Sequence, residues 1–258
     1  MNPASLSKIL SRYGLFLLLL LLIAALWEGA VRTGHVPPFI LPAPSSILAA
    51  LRDNAGLLLR THLPATLAET LTGCLLSILV GILLGTAMHL SGTVEKALYP
   101  FIVISQTIPL IALSPLFIMW FGYSMWSKVA VVFLTAFFPI VVGVYDGLRR
   151  SDGGYRDLLL TMGASRRQLL LKVGIPLALP SFFSGLRLCV VYCVIGATIG
   201  EWLGGTVGLG YYSRRMAGSL HSAEMFAAVF LLSAMGLVLF LAVRLLEFLI
   251  LKKRGSLQ

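Results

Sequence analysis

The feature that most constrains this chain is a series of long apolar runs, each long enough to cross a lipid bilayer. A helix needs about 20 apolar residues to cross the hydrocarbon core, and the stretch from Leu15 to Leu26 carries no charge at all. Lipid gives the backbone no hydrogen-bond partners, so spanning segments are helices or closed barrels. The runs are continuous rather than alternating, which favours helices. With only 12% charged residues, the chain is expected to be an all-α integral membrane protein.

Six runs predict six transmembrane helices, and we expect residues 1–258 to form a single transmembrane domain with its core at 63–251. The runs cover residues 14–31, 63–90, 97–121, 127–148, 181–203 and 224–251. The first could be a cleaved signal peptide instead. Its apolar part is long, however, and Trp27 and Glu28 interrupt the place where a small-residue cleavage site would follow. We therefore predict that it is an uncleaved span.

Lysine and arginine set the expected orientation, because cytoplasmic loops are enriched in them. With the N-terminus inside, twelve lie in cytoplasmic segments: Lys8, Arg12, Lys96, Arg149, Arg150, Arg156, Arg166, Arg167, Lys172, Lys252, Lys253 and Arg254. Six lie in outer segments: Arg32, Arg52, Arg60, Lys128, Arg214 and Arg215. We therefore predict a multi-pass protein of the plasma or inner membrane with both termini in the cytoplasm. The net charge of +10 then reflects topology, since the basic residues are too scattered for a nucleic-acid-binding patch.

The third run is unusual in its proline content. It contains Pro100, Pro109 and Pro115. Proline removes a backbone donor and bends helices, and bent backbone at membrane depth survives only where it is shielded from lipid. Gln106 and Thr107 directly precede Pro109, so we predict that these three residues line a translocation path.

Ionisable residues inside the fifth and sixth runs allow two interpretations each. Glu201 lies near the outer end of the fifth run, where it either belongs to the translocation path or is paired locally. Arg187 either serves the path or extends its charge to the cytoplasmic surface, and we favour the second. Arg244 and Glu247 lie one turn apart in the sixth run, so we predict a local ion pair.

Gly73, Ser77, Gly81 and Gly85 recur at every fourth position of the second run. Small residues at this spacing share a helix face and allow another helix to approach closely. This face is either an interface between two subunits or a packing surface within one, and we favour packing within one.

Neither an ATPase motif nor a metal site is evident in the sequence. The chain lacks the G-x-x-x-x-G-K-[ST] phosphate-binding loop, so it should not hydrolyse ATP and is not expected to be an enzyme. Cys189 and Cys193 share a helix face, but no histidine or further cysteine completes a metal site. Together with Cys74 they are predicted to be packing residues without a disulfide.

The outer segment after the first run contains a predicted short helix. Ser45 and Ser46 are placed to cap it, and it is expected to continue to about residue 59. Ile47, Leu48 and Leu51 give it a partly apolar face. We interpret it as a helix lying on the outer membrane surface; the alternative is an ordinary surface loop.

Residues 155–180, with the sequence YRDLLLTMGASRRQLLLKVGIPLALP, are too polar for lipid and too patterned for a plain linker. Gly163 permits a sharp turn, and Ser165 is placed to cap a second helix. Pro176 and Pro180 should then redirect the chain into the fifth span. Two short helices joined at a glycine, within a cytoplasmic loop at 151–180, would suit docking of a soluble partner.

This segment resembles the coupling loop of permease subunits of ATP-binding-cassette importers. That pattern reads E-A-A, three residues, G, nine residues and I-x-L-P. Here Asp157-Leu158-Leu159 takes the first place, Gly163-Ala164 the glycine, and Val173-Gly174-Ile175-Pro176 the end. The spacing is kept, but leucines replace both alanines and Asp157 replaces the glutamate. The resemblance covers most of the chain and includes residues 108–122 and 208–211, which are similar to the nitrate, sulfonate and taurine branch.

The resemblance implies a type I importer permease fold with cytoplasmic coupling helices. It also implies a second permease copy, two ATPase subunits that bind ATP and magnesium and dock on residues 157–176, and an extracytoplasmic substrate-binding protein. No cofactor is expected in this chain itself. Residues 105–109 and 196–204 most resemble permeases for thiamine-precursor pyrimidines of the hydroxymethylpyrimidine type. Riboflavin permeases look similar, and sulfonate, taurine and nitrate permeases come next.

Two other classes of protein remain as alternatives. An ion-coupled secondary transporter would need ionisable residues at the bilayer midplane or an inverted repeat, and neither is evident in the sequence. A membrane scaffold without transport activity would not need a third span bent by proline.

Overall fold

The computed structural model describes residues 3–150 and 159–253, and these ranges contain helices and turns but no strand. The predicted all-α architecture is therefore confirmed. The α-helices are α1 (Pro3–Arg32), α2 (Pro44–Asp53), α3 (Ala55–Leu57), α4 (Leu63–Leu90), α5 (Gly92–Thr107), α6 (Leu110–Phe121), α7 (Met125–Arg150), α8 (Arg166–Leu169), α9 (Ile175–Gly204), α10 (Leu209–Gly218) and α11 (Ser222–Lys253).

Within the described residues, five helical stretches have the length and apolar character to cross a membrane. They are Gly14–Arg32, Ala55–Leu90, Met125–Arg150, Arg167–Gly204 and Ser222–Lys252. A sixth crossing is reached if α5 and α6, which meet at an angle of 100°, form one broken span. The number of predicted spans thus agrees with the structure.

The third span is not the single bent helix predicted over 97–121. Ile108 is extended, with φ −80° and ψ 123°, because a residue before proline is disfavoured in the helical region. Pro109 then stands at the N-cap of α6. Pro100 and Pro115 lie inside α5 and α6 without interrupting them, so the chain breaks at one proline of the three.

Two π-helical turns, Leu58–His62 and Leu170–Gly174, join short helices to long spans. Each lies two residues before a proline in the first turn of the next helix, Pro64 in α4 and Pro176 in α9. Proline cannot donate its backbone bond and crowds the preceding turn, and a wide turn relieves both problems. The prediction that Pro176 and Pro180 redirect the chain is therefore wrong, since the helix runs on through both.

The outer helix α2 also differs from its prediction. It begins at Pro44 and ends at Asp53, with no side-chain cap. Ser45 instead donates its hydroxyl to Glu28 Oε1 at 2.6 Å and its amide to Glu28 Oε2 at 3.0 Å. Ile47 is buried in an apolar cluster with residues of α10 and α11, so α2 packs onto protein. Its place on the outer membrane surface stays a prediction.

Helix α7 forms the centre of the fold, packed between α4 and α9. The small-residue face of α4 is what allows this approach. A Cβ atom on Gly81 would lie 2.5 Å from Ile140 Cγ2, and one on Gly85 would lie 2.8 Å from Val144 Cβ. The predicted packing within one subunit is therefore confirmed for this face.

The ion pair near the C-terminal end of α11 also differs from the predicted one. Glu247 accepts a hydrogen bond from Arg187 Nη1 at 2.5 Å and is not paired with Arg244. Helices α9 and α11 pack side by side, so a residue 60 positions away lies closer than a neighbour along the same helix. Arg187 is therefore neutralised within the protein.

The three cysteines lie together, although the sequence predicted that no further cysteine would join Cys189 and Cys193. Cys74 lies beside Cys189, with 4.0 Å between the Sγ atoms, and Cys189 Sγ lies 3.9 Å from Cys193 Sγ. A third cysteine thus does join the α9 pair. All three are free thiols, buried in the core where α4, α7 and α9 meet.

Candidate functional site

The predicted coupling segment contains a sharp turn at Gly163, as expected. Gly163 adopts φ +84°, a conformation that suits glycine best. Its amide donates to Leu160 O at 3.0 Å, and the Ala164 amide donates to Leu159 O at 3.0 Å. This pair of bonds is the usual way in which a glycine ends a helix, here the helical residues 159–161.

Ser165 begins the second helix of the segment, which confirms the predicted cap. The Gln168 amide donates to Ser165 Oγ at 3.3 Å, and the Ser165 amide donates to Gln168 Oε1 at 2.9 Å. Reciprocal bonds of this kind satisfy two otherwise unpaired amides at a helix start. The turn is therefore defined on both sides by local hydrogen bonds.

This second helix is not the short separate element predicted. Helix α8, the π-helical turn and α9 form one helical stretch, Arg167–Gly204. The Gly163 turn is thus joined to the fifth span by continuous helix. Met162 is 74% exposed and Leu171 is 52% exposed, which leaves apolar side chains available to a partner.

The predicted coupling residues lie along this segment. Leu159, Ala164, Val173 and Pro176 are half-buried, whereas Gly163 and Ile175 are exposed. Asp157 and Leu158 lie outside the described residues. The structure therefore places six of the eight predicted residues around one turn and the beginning of the fifth span.

Gln106, Thr107 and Pro109 are brought together at the break between α5 and α6, and all three are exposed. Thr107 Oγ1 donates to Ile104 O at 2.8 Å, and Gln106 Nε2 donates to Leu134 O at 3.5 Å. Their remaining polar groups are free to contact a ligand. Their role in a path stays a prediction.

Glu201 lies elsewhere and does not join that group. Its side chain is fully buried, and Oε2 accepts from the Gly210 amide at 2.5 Å and the Tyr211 amide at 3.3 Å. The local interpretation describes this geometry well. Its place in a translocation path stays a prediction.

Glu201 belongs to a set of side chains that hold the start of α10. The Gly208 amide donates to His62 Nδ1 at 3.1 Å, and the Leu209 amide donates to Thr66 Oγ1 at 2.8 Å. With the two bonds to Glu201, all four amides of residues 208–211 are satisfied by side chains. A helix start leaves four such amides unpaired, so this set completes α10. We call it the outer latch, after the side of the membrane on which the sequence predicts it. A carboxylate there also suits the positive end of the helix dipole.

Beside the outer latch lies an ion pair that the sequence reasoning missed. Lys128 Nζ donates to Glu69 Oε1 at 2.6 Å, with 8% and 4% of the two side chains exposed. The prediction that Lys128 lies in an outer loop is therefore wrong, since it is a buried residue of α7. The sequence did contain a signal for this pair. Glu69 and Lys128 lie near the starts of the second and the fourth predicted span, and charges within spans are normally paired.

The ion pair and the outer latch together connect the start of α4, the start of α7 and the end of α9 to α10. Because Lys128 neutralises Glu69 locally, the carboxylate can remain buried. These three helix ends are thus held by polar contacts, whereas the opposite end of α9 is extended by an exposed helix.

Comparison with known proteins agrees with this architecture. Residues 77–253 match the family described as "Binding-protein-dependent transport system inner membrane component". The chain is 48% identical over 231 residues to the formylaminopyrimidine transport permease protein ThiX of Halalkalibacterium halodurans, covering 89% of this chain and 92% of that protein. It is 34% identical over 239 residues to the riboflavin transport system permease protein RibX of Chloroflexus aurantiacus, covering 92% of this chain and 89% of that protein.

The fold is similar to a chain of the MetNI methionine ABC transporter in its inward-facing conformations. The TM-score is 0.65 at 19% identity, over 76% of this chain and 96% of that chain. The predicted type I importer fold is confirmed by this similarity. The chain therefore belongs to the family of binding-protein-dependent inner-membrane transport components, as a permease subunit of an ATP-binding-cassette importer.

Proposed function

We propose that this permease transports a thiamine-precursor pyrimidine of the hydroxymethylpyrimidine type. The observation that supports this most is the similarity to the formylaminopyrimidine permease of H. halodurans, at 48% identity over nearly the full length of both chains. Residues 105–109 and 196–204 resemble the same class of permease. Riboflavin is the next candidate substrate. A riboflavin permease is also a relative of this chain, but at the lower identity of 34%.

Two cations inside the described spans are already paired, which favours an uncharged substrate over a sulfonate or nitrate. Lys128 is paired with Glu69 and Arg187 with Glu247, so neither cation is available to bind an anion. The polar groups at the α5–α6 break are an amide and a hydroxyl, from Gln106 and Thr107. Groups of this kind exchange hydrogen bonds with a neutral heterocycle, which fits a pyrimidine.

The proposed mechanism couples the Gly163 turn to the fifth span. Two ATPase subunits, which bind ATP and magnesium, would dock on residues 157–176 of a permease homodimer with both termini in the cytoplasm. A binding protein would deliver substrate to the outer side. Closure of the ATPases would displace the Gly163 turn and, through the continuous helix, α9. Coupling requires that the turn contact the two ATPase states with different free energies.

Uptake into vesicles tests the substrate. Vesicles would hold this chain with its ATPase and binding protein, and labelled hydroxymethylpyrimidine, formylaminopyrimidine, riboflavin and taurine would be offered in parallel. We expect ATP-dependent uptake of the pyrimidines and none of taurine. Riboflavin or taurine uptake without pyrimidine uptake would keep the importer and reject the proposed substrate.

A substitution at Gly163 tests the coupling segment. Gly163→Val is expected to strain the turn by about 1–2 kcal/mol, because a branched side chain disfavours positive φ. No atom lies within 4 Å of the place where a Cβ would stand, so the effect is one of backbone conformation. Less ATPase should then co-purify with the permease. Gly163→Asn is the matched control, since asparagine tolerates this conformation, and equal losses in both variants would argue against the role of the turn.

A further inference from the structure

The structure brings together every thiol of the chain, which contains three cysteines. Cys74 comes from α4, and Cys189 and Cys193 come from adjacent turns of α9. Their Sγ atoms all lie within 4.8 Å of one another. Cys189 and Cys193 are fully buried and Cys74 is 7% exposed. Packing alone would need only small apolar side chains here, whereas three convergent sulfurs form a set of ligands.

The spacing of the sulfurs fits a shared central atom. Thiolate bonds to a metal ion are about 2.3 Å long, so three sulfurs around one atom lie at most about 4.0 Å apart. The observed separations of 3.9 Å and 4.0 Å lie at that limit, and the third pair of sulfurs lies within 4.8 Å. A pyramidal centre, whose bond angles are smaller, would draw all three sulfurs closer together through small rotations of their side chains.

The surroundings decide which atom the site can hold. The cluster is enclosed by apolar side chains such as Val132, Ala136 and Ala197, and no cationic group belongs to it. Three thiolates carry three negative charges, of which a cuprous ion leaves two and a zinc ion leaves one. An uncompensated charge in such a place is strongly destabilising, so a trivalent centre that leaves none is favoured.

We propose that Cys74, Cys189 and Cys193 form a binding site for trivalent arsenic or antimony. Arsenous acid, As(OH)₃, would react with three thiols to give As(SR)₃ and three molecules of water. Each thiol proton leaves with one hydroxide, three As–O bonds are replaced by three As–S bonds, and no oxidation state changes. Both the acid and the product are uncharged, so the reagent can enter from the lipid and the product is stable in the apolar core.

Binding would tie two spans together. Cys74 would be joined to Cys189 and Cys193 through one atom, which links α4 covalently to α9. The continuous helix of α9 also carries the cytoplasmic turn, so such a link restricts movement of the fifth span relative to the second. Arsenous acid is therefore expected to inhibit a permease whose transport requires that movement.

Intact-mass measurement of the full-length protein tests the proposal without reference to transport. The purified chain would be treated with arsenous acid, freed of excess reagent and weighed under denaturing conditions. We expect the mass of one added arsenic atom less three hydrogens, and no remaining titratable thiol. A chain without arsenic would overturn the proposal.

Single substitutions distinguish three ligands from two. In Cys74→Ser, arsenic should bind only Cys189 and Cys193 and keep one hydroxyl group, which gives a different mass. Loss of the third, intramolecular bond should weaken retention on the order of a hundredfold. Cys74→Ala separates this effect from any effect of a buried hydroxyl. Unchanged retention in both variants would mean that the α9 pair acts alone, which contradicts a three-thiol site.

Discussion

Lys128→Met is expected to lower the free energy of unfolding by about 3–5 kcal/mol, because it leaves the buried Glu69 carboxylate without its partner. The 2.6 Å pair is almost fully enclosed, with 8% and 4% of the side chains exposed. Methionine has a similar length and keeps the packing, so the decrease in the free energy of unfolding is due to the loss of the charge. Chemical denaturation of the purified permease in detergent would measure it.

The matched control is an exposed ion pair with the same separation. Arg32 and Glu28 are also 2.6 Å apart, but 70% of the arginine side chain is exposed, and water screens such pairs. Arg32→Met should therefore have a much smaller effect. The double variant Glu69→Met with Lys128→Met should recover much of the stability, since removal of both charges leaves neither unpaired. A single Lys128→Met variant no less stable than Arg32→Met would refute this account of the pair.

Gly208→Ala should disrupt the outer latch. Gly208 has φ +122°, and a Cβ there would overlap the carboxylate of Glu201. The backbone strain alone costs about 1–3 kcal/mol, and displacement of Glu201 would additionally leave the amides of Gly210 and Tyr211 unpaired. We expect a lower denaturation midpoint and weaker protection of these two amides in hydrogen exchange.

The same substitution at Gly218, the last residue of α10, serves as the control. No atom lies within 4 Å of a Cβ built there, and its φ is not in the positive region. Gly218→Ala should leave stability unchanged or raise it slightly, because alanine favours the helix. Comparable losses at both positions would show that the effect is general to α10 and not specific to the latch.

Features set by local chemistry could be predicted from the sequence. The lengths of the apolar runs predicted the spans, the glycine predicted the turn at 163, and Ser165 predicted the cap. Each depends on residues within one or two turns of one another. The all-α fold and the local turn and cap at 163–165 were therefore accessible without coordinates.

Features set by packing between helices were missed or mistaken. Glu69 lies 59 residues from Lys128, and Cys74 lies 115 residues from Cys189, so neither contact follows from spacing along the chain. For the same reason the sequence predicted an ion pair between Glu247 and its near neighbour Arg244, whereas the partner of Glu247 is Arg187 on another helix. Which helix faces meet is a property of the assembled bundle.

The wide turn at Leu170–Gly174 sets the direction in which the Gly163 turn faces. Each residue of an α-helix advances about 100° around the axis, and a π-turn accommodates one residue more than an α-turn does. The surface around Met162 and the faces of α9 are therefore rotated relative to each other about the helix axis. The size of this rotation depends on the one additional residue in the π-turn. Loss or gain of one residue within 170–174 would aim the same surface at a different part of its partner, even with every side chain of that surface unchanged.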